Sequence, residues 1–216
     1  MEQKMLFQKN ANVIAANGQQ VGTLERIVLN PETKVVTDIV IRTGTLFNKV
    51  ARVVPVEMVI ETTENQIVLR DKAGELESFP PFEERHLIDA NGEMDQPAKN
   101  VAPVVYGNPG YGPIMVADPG DQFVTKIEQN IPAGTVALKE GAKVITADGK
   151  HVGNVERVLA DSSVDQVTHL VVSMGMFAKE MRLIPMKWVM TLGEDEVHLR
   201  VKKVSIEDND TTPIAG

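Results

Sequence analysis

The side chains best suited to metal or acid–base chemistry are spread thinly along this chain of 216 residues. The four histidines, His86, His151, His169 and His198, include no pair with ligand spacing such as His-x-x-x-His. The absence of cysteine excludes thiolate zinc sites, cysteine nucleophiles and disulfides. We therefore predict no metal site and expect the histidines at the surface.

The glycines and serines form no catalytic or phosphate-binding motif. The segment Gly107-Asn108-Pro109-Gly110 lacks the lysine and the helix of a phosphate-binding loop. Ser173 precedes Gly175 by two residues, but Val171 stands where a nucleophile elbow needs a second glycine. We therefore expect no catalytic residue, no cofactor and no enzyme activity.

Two Glu-Arg dipeptides, Glu25-Arg26 and Glu156-Arg157, are the most prominent charged motif. Neighbouring residues of a strand face opposite sides of a sheet, so neither dipeptide is expected to act as one site. One interpretation is an ion pair or a brace for a loop, and the other is a contact with a partner. The same two interpretations apply to Arg52 and Arg182, which precede apolar residues and a proline.

Five methionines are concentrated near the C-terminal end of the chain. They either fill a core or form an adaptable apolar binding surface, because the thioether side chain is flexible and polarisable. They are Met174, Met176, Met181, Met186 and Met190.

The only two tyrosines, Tyr106 and Tyr111, lie in a segment rich in proline and glycine. Tyrosines in such a setting can anchor an interface, since they bury a large ring and freeze few rotors. Alternatively, the segment is a flexible tether whose tyrosines pack loosely. Tyr106 and Tyr111 are the candidate partner-contact residues.

The elements that carry these residues occur twice. Val13-Ile14 recurs as Val144-Ile145, and the same offset of 131 gives twelve identities in the 32 positions from 13 to 44. About two would be expected from typical composition. After one deletion the offset becomes 130, and it relates Arg52 to Arg182 and Glu64 to Glu194. We therefore predict an internal duplication.

Each copy is predicted to consist of short strands. Asn17-Gly18 and Asp148-Gly149 separate apolar runs, which predicts two-residue hairpins with positive φ at both positions. Gly22 and Gly153 lie within the following strands, where glycine marks a bulge or a close backbone approach. About five such strands in some 60 residues favour a small barrel.

The order of turn and core residues in both copies resembles the PRC-barrel domain. The resemblance implies a protein-contact module and supplies no catalytic residues. Members include the cytoplasmic domain of the photosynthetic reaction-centre H subunit and a ribosome-maturation factor, whose specific functions we do not transfer. The matching residues are Gly18, Val21-Gly22, Val36-Thr37, Gly44, Val54-Pro55 and Val68-Leu69, and then Gly149, Val152-Gly153, Val167-Thr168, Gly175, Ile184-Pro185 and His198-Leu199.

Charge and hydropathy limit the partners. The net charge is −8, and neither copy has a basic excess, which argues against nucleic acid. No run approaches the roughly 18 apolar residues of a membrane span. The N-terminus lacks a basic region followed by an apolar run, so no signal peptide is predicted. We expect a cytoplasmic location.

These observations predict an all-β protein of two small PRC-type β-barrels related by internal duplication and joined by a Pro/Gly-rich linker. The predicted function is non-enzymatic protein binding or scaffolding, with a homo-oligomer as one possible assembly. The alternative is an RNA-processing or ribosome-associated factor. The predicted boundaries are 1–88 for the first barrel, 89–135 for the linker, 136–205 for the second barrel and 206–216 for a flexible tail.

Overall fold

The computed structural model describes residues 4–8, 10–45, 48–70, 73–89, 96–97, 123–175 and 180–208. Strands dominate these residues, together with three short 3₁₀ helices and one α-helix, so the all-β prediction is confirmed. The contacts divide the chain into two units. One unit combines residues 1–82 with residues 131–216, and the other contains residues 83–130.

The N-terminal half of the first unit builds one sheet. Its strands follow the path β5-β4-β3-β2-β7-β6, in which β2 runs parallel to β7 and the other neighbours are antiparallel. Short 3₁₀ helices lie at Val56–Met58 and Ala73–Ser78. The strands in this half of the chain are β1 (Lys4–Gln8), β2 (Asn12–Ile14), β3 (Gln20–Leu29), β4 (Val36–Thr45), β5 (Asn48–Pro55), β6 (Val59–Thr62) and β7 (Gln66–Leu69).

The second unit contains a three-stranded antiparallel sheet with the order β10-β8-β9. Its strands are β8 (Glu83–Asp89), β9 (Gln96–Pro97) and β10 (Phe123–Gln129). Two of them, β9 and β10, fall inside the predicted linker at 89–135. That segment therefore contains paired strands despite its prolines and glycines.

The C-terminal half of the first unit builds a second sheet with the path β15-β14-β13-β12-β17-β16. This order repeats that of the N-terminal sheet, strand for strand. A 3₁₀ helix at Met186–Trp188 and helix α1 at Lys203–Asp208 complete this half. The strands are β11 (Val136–Lys139), β12 (Lys143–Ile145), β13 (His151–Asp161), β14 (Gln166–Met174), β15 (Glu180–Pro185), β16 (Val189–Leu192) and β17 (Glu196–Leu199).

The turns after β2 and β12 differ from the two-residue hairpins that the sequence predicts. Gly18 and Gly149 have φ of 83° and 73°, whereas Asn17 and Asp148 are not among the described residues with positive φ. The backbone of Ala15 pairs with Gln19, which leaves three residues in the loop. A three-residue loop needs positive φ only at its last position, and glycine supplies it.

Gly22 and Gly153 occupy the predicted close approaches. A Cβ on Gly22 would lie 2.5 Å from the carbonyl oxygen of Arg42, and one on Gly153 would lie 2.1 Å from that of Ser173. The strand register also shifts opposite each glycine, between Val13 and Ile14 and at the matching place in β12. The prediction for these two glycines is confirmed.

Strand exchange joins the two halves. β1 pairs antiparallel with β13 of the C-terminal sheet, and β11 pairs antiparallel with β3 of the N-terminal sheet. No ladder joins β5 to β6 or β15 to β16 among the described residues, so each sheet is an open path rather than a closed barrel.

The halves also share one hydrophobic core. Phe7, Leu24 and Ile39 from the N-terminal half belong to the same buried cluster as Leu138 and Leu170 from the C-terminal half. The structure thus differs from the predicted division into separate domains at 1–88 and 136–205, because exchanged strands carry apolar side chains of each half into the common core.

The predicted boundary of the flexible tail also differs. Ile206 lies in α1 and is fully buried, so it belongs to the core rather than to the tail at 206–216.

Candidate binding cleft

A polar cleft of about 460 Å³ opens beside β3 and β4 in the N-terminal half. It is lined by residues 20–23 of β3 and by residues 42–44 of β4. The close backbone approach at Gly22 draws the two strands together here, and Gly44 has a φ of 96°. The sequence needs glycine at both positions because a side chain would clash at the first and would be strained at the second.

Arg42 supplies the cationic group of the cleft. Its side chain is half-buried, and within the described part of the chain its guanidinium has no hydrogen-bond or ion-pair partner. Neighbouring polar groups are paired, since the amide of Gln20 donates to Asn12 Oδ1 at 3.0 Å and the hydroxyl of Thr43 donates to the carbonyl of Val50 at 3.2 Å. A guanidinium in this state can bind a carboxylate or a phosphate through two parallel hydrogen bonds.

The matching position in the C-terminal half has different polar contacts. Ser173 replaces Arg42, and its hydroxyl donates to the carboxylate of Glu156 at 2.8 Å. His151 Nε2 and Asn154 Oδ1 lie 3.1 Å apart, where Gln20 and Thr23 stand in the N-terminal half. The polar groups here pair with one another, so this position of the C-terminal half has no counterpart to the unpaired guanidinium of Arg42 among the described residues.

The candidate tyrosines, Tyr106 and Tyr111, lie outside the described residues. The structure therefore does not test their predicted contact with a partner, which stays a prediction.

The three histidines whose side chains the structure describes have separate surroundings. His151 is exposed, and His198 Nε2 lies 3.5 Å from the carboxylate of Glu196. Burial lowers the pKa of the half-buried His169, and the positive charges of Lys4 and Lys187 lower it further. Among the side chains that the structure describes, no three His, Asp or Glu residues are grouped to hold a metal ion.

The Glu-Arg dipeptides form ion pairs through their arginines, but across the halves rather than within the dipeptide. Arg26 Nη1 lies 3.1 Å from Glu194 Oε2, and Arg157 Nη1 lies 3.6 Å from Glu64 Oε1. The guanidinium of Arg26 also stacks over the ring of Phe82 at 4.9 Å. The ion-pair interpretation therefore fits both arginines.

Arg52 and Arg182 have different kinds of hydrogen-bond partner. Arg52 donates to the carbonyl of Phe79 at 2.8 Å and so braces the loop that follows the second 3₁₀ helix. Arg182 lies 3.0 Å from Glu180 on its own strand.

The methionines divide between core and surface. Met186 is buried and Met174 packs against the core, as the core-filling interpretation requires. Met181 is half-buried, whereas Met190 is 59% exposed. Met176 lies outside the described residues.

Sequence reasoning did not single out two polar side chains whose surroundings the structure makes distinctive. Arg42 corresponds to Ser173 at the repeat offset, so a cation in one half stands where the other half has a small hydroxyl side chain. Asp148 lies in a predicted turn, yet its carboxylate accepts a hydrogen bond from the backbone of Lys203 at 3.2 Å and so tethers the start of α1.

Comparison with protein families finds a match for the segment that carries the cleft. Residues 9–76 match the PRC-barrel domain. The PRC-barrel segment thus includes β2 to β7 and every residue that lines the cleft, and the predicted resemblance is confirmed for this part of the chain.

Residues 138–207 match a different family, described as an uncharacterized protein conserved in bacteria (DUF2171). No curated protein matches the chain. No helix in the described ranges combines the length and the hydropathy needed to cross a membrane.

Proposed function

We propose that this chain is a non-enzymatic protein-binding or scaffolding protein. In this proposal it is built from two PRC-type modules that are related by duplication and joined by the segment between them. The PRC-barrel match supports the N-terminal module. The identical order of strands in the two sheets, together with the sequence repeat, supports the duplication.

The half-buried side chain of Arg42, whose guanidinium has no partner among the described residues, is the observation that carries the proposal. A cation that is partly withdrawn from water and lacks a partner is available to an anionic group at low cost of desolvation. The cleft that surrounds it suits a carboxylate side chain better than a large cofactor, because it is open and mainly polar. We therefore assign the cleft to an acidic residue of a protein partner.

Affinity capture with matched variants tests this assignment. Native protein and Arg70→Ala should enrich the same partner, while Arg42→Ala should lose it. Arg70 is an exposed arginine of the same half and does not line the cleft, so its substitution removes the same charge without altering the site.

Equal enrichment by Arg42→Ala would remove the cleft from the proposal. Ribosomal RNA or ribosomal proteins captured by all three forms would instead favour the ribosome-associated alternative. The net charge of −8 opposes that alternative, because RNA binding depends on neutralising phosphates.

A further inference from the structure

Each half of the first unit donates one strand to the sheet of the other half, and the two donations match residue by residue. β1 places Gln8 opposite Arg157, and β11 places Lys139 opposite Arg26. Both pairs are related by the repeat offset of 131. The interface is therefore reciprocal, since each half is at once a donor and an acceptor of a strand.

The ion pairs across the interface follow the same reciprocity. The Arg26–Glu194 pair becomes the Arg157–Glu64 pair when the repeat offsets are applied to both partners. The arginine side chains are 13% and 15% exposed, so both are largely removed from water and depend on partners supplied by the opposite half.

A third reciprocal contact lies between the turn that joins β3 to β4 and the turn that joins β13 to β14. The N–H of Val36 donates to the carbonyl of Asp165 at 2.8 Å, and the N–H of Val167 donates to the carbonyl of Lys34 at 2.8 Å. An isolated antiparallel bridge between Val35 and Gln166 lies between these bonds.

Apolar burial accompanies the exchange. Phe7 and Leu138, which occupy matching positions in the donated strands, are each 1% exposed and belong to the common core. All of these contacts are made by residues 4–82 and 131–208. None uses the segment at 83–130 that connects the halves covalently.

We propose that the exchanged-strand interface holds the halves together without their covalent connection, and that it fits the complementary half of a second copy of this chain equally well. Strand donation, two ion pairs and a shared core together form an interface that a separate chain can complete. In the intact chain the connection raises the effective concentration of the two halves and favours pairing within one molecule. This inference stands apart from the proposed binding function, because it uses no residue of the cleft.

A cleavable full-length chain tests the interface. A site for a specific protease is introduced between Gly107 and Asn108, and the folded protein is cut. The two fragments should co-elute at the mass of the uncut chain on size-exclusion chromatography, while a denaturing gel shows them separated. Fragments that elute apart or precipitate on cutting would overturn the proposal.

Refolding a mixture of two cut samples shows whether the fragments can associate anew or merely stay together after the cut. A cut sample with a tagged N-terminal fragment is unfolded together with an untagged cut sample whose C-terminal fragment is isotopically labelled, and the mixture is refolded. The tag should capture labelled C-terminal fragments in proportion to the mixing ratio. Capture of unlabelled fragments alone would contradict pairing between copies.

Charge reversal tests the ion pairs in the cut protein. Glu194→Arg places two cations together and should weaken association of the fragments several-fold, and Arg26→Glu combined with Glu194→Arg should recover part of the loss. Glu57→Arg, at an exposed position, is the matched control. If the inserted site prevents folding, co-expression of residues 1–107 with 108–216 provides the same readout, and separate fragments in that form also count against the proposal.

Discussion

Arg26 Nη1 and Glu194 Oε2 lie 3.1 Å apart, although 168 residues separate them along the chain. Arg26 belongs to β3 in the N-terminal half, and Glu194 lies in the turn between β16 and β17 of the C-terminal half. The pair is therefore a direct contact between the halves.

Removal of Arg26 should destabilise the protein more than removal of its partner. Arg26→Ala loses both the ion pair of a largely buried guanidinium and its stacking on Phe82, and we expect the free energy of unfolding to fall by about 2 kcal/mol. Glu194 is more exposed, so Glu194→Ala should cost about 1 kcal/mol. Urea denaturation followed by the fluorescence of Trp188, the single tryptophan, measures both. Equal losses would contradict the prediction that Arg26 contributes more than its partner.

The donated strands should stabilise the half that receives them. Phe7→Ala leaves a cavity in the common core, and we expect a loss of about 3–5 kcal/mol. Leu138→Ala at the matching position should cost about 2–5 kcal/mol for the same reason. Trp188 lies in the C-terminal half, so a lowered midpoint of its fluorescence transition in Phe7→Ala would show that β1 supports the distant half. An unchanged midpoint would contradict the exchange of strands.

Two glycines with different constraints should respond differently to alanine. Gly22→Ala forces a Cβ to within 2.5 Å of a backbone oxygen, so the strands must separate, and we expect a loss above about 2 kcal/mol. Gly18→Ala meets no atom within 4 Å and suffers only from its φ of 83°, which costs about 1 kcal/mol. Thermal or urea unfolding compares the two. A smaller loss for Gly22→Ala than for Gly18→Ala would refute the close approach.

Asp148 should make stability depend on pH in the acid range. Hydrogen bonds from the side chains of Thr146 and Lys150, and then from the backbone of Lys203, lower the pKa of its carboxyl below the usual value. A lowered carboxyl pKa stabilises the folded state above the unfolded pKa of about 3.9, and this contribution is lost as the pH falls further.

Asp148→Asn should therefore flatten the decline of stability below about pH 4, while stability at neutral pH falls because the ionised acceptor is missing. Urea midpoints at a series of pH values measure the effect. Asp195→Asn is a control at an exposed carboxylate in the same half. An identical acid decline in the native protein and in Asp148→Asn would exclude the titration of this group.

The candidate cleft was only partly accessible to sequence reasoning. Gly22 and its close approach could be predicted from the sequence, because Gly22 and Gly153 lie at matching places of the predicted duplication, within strands, and such a glycine indicates a backbone constraint. The availability of Arg42 depends on which neighbours pair with one another, and that is decided by the packing of β3 against β4. Sequence spacing carries no information about such pairing.

The sequence by itself determined the local elements of this protein: strands follow from alternating apolar residues, and turns follow from glycines that tolerate positive φ. Only the tertiary structure decided that β1 and β11 cross to the opposite sheets. An apolar strand such as Met5-Leu6-Phe7 satisfies its backbone hydrogen bonds equally well on any compatible edge. The choice of edge depends on the core and the ion pairs that the two halves form together.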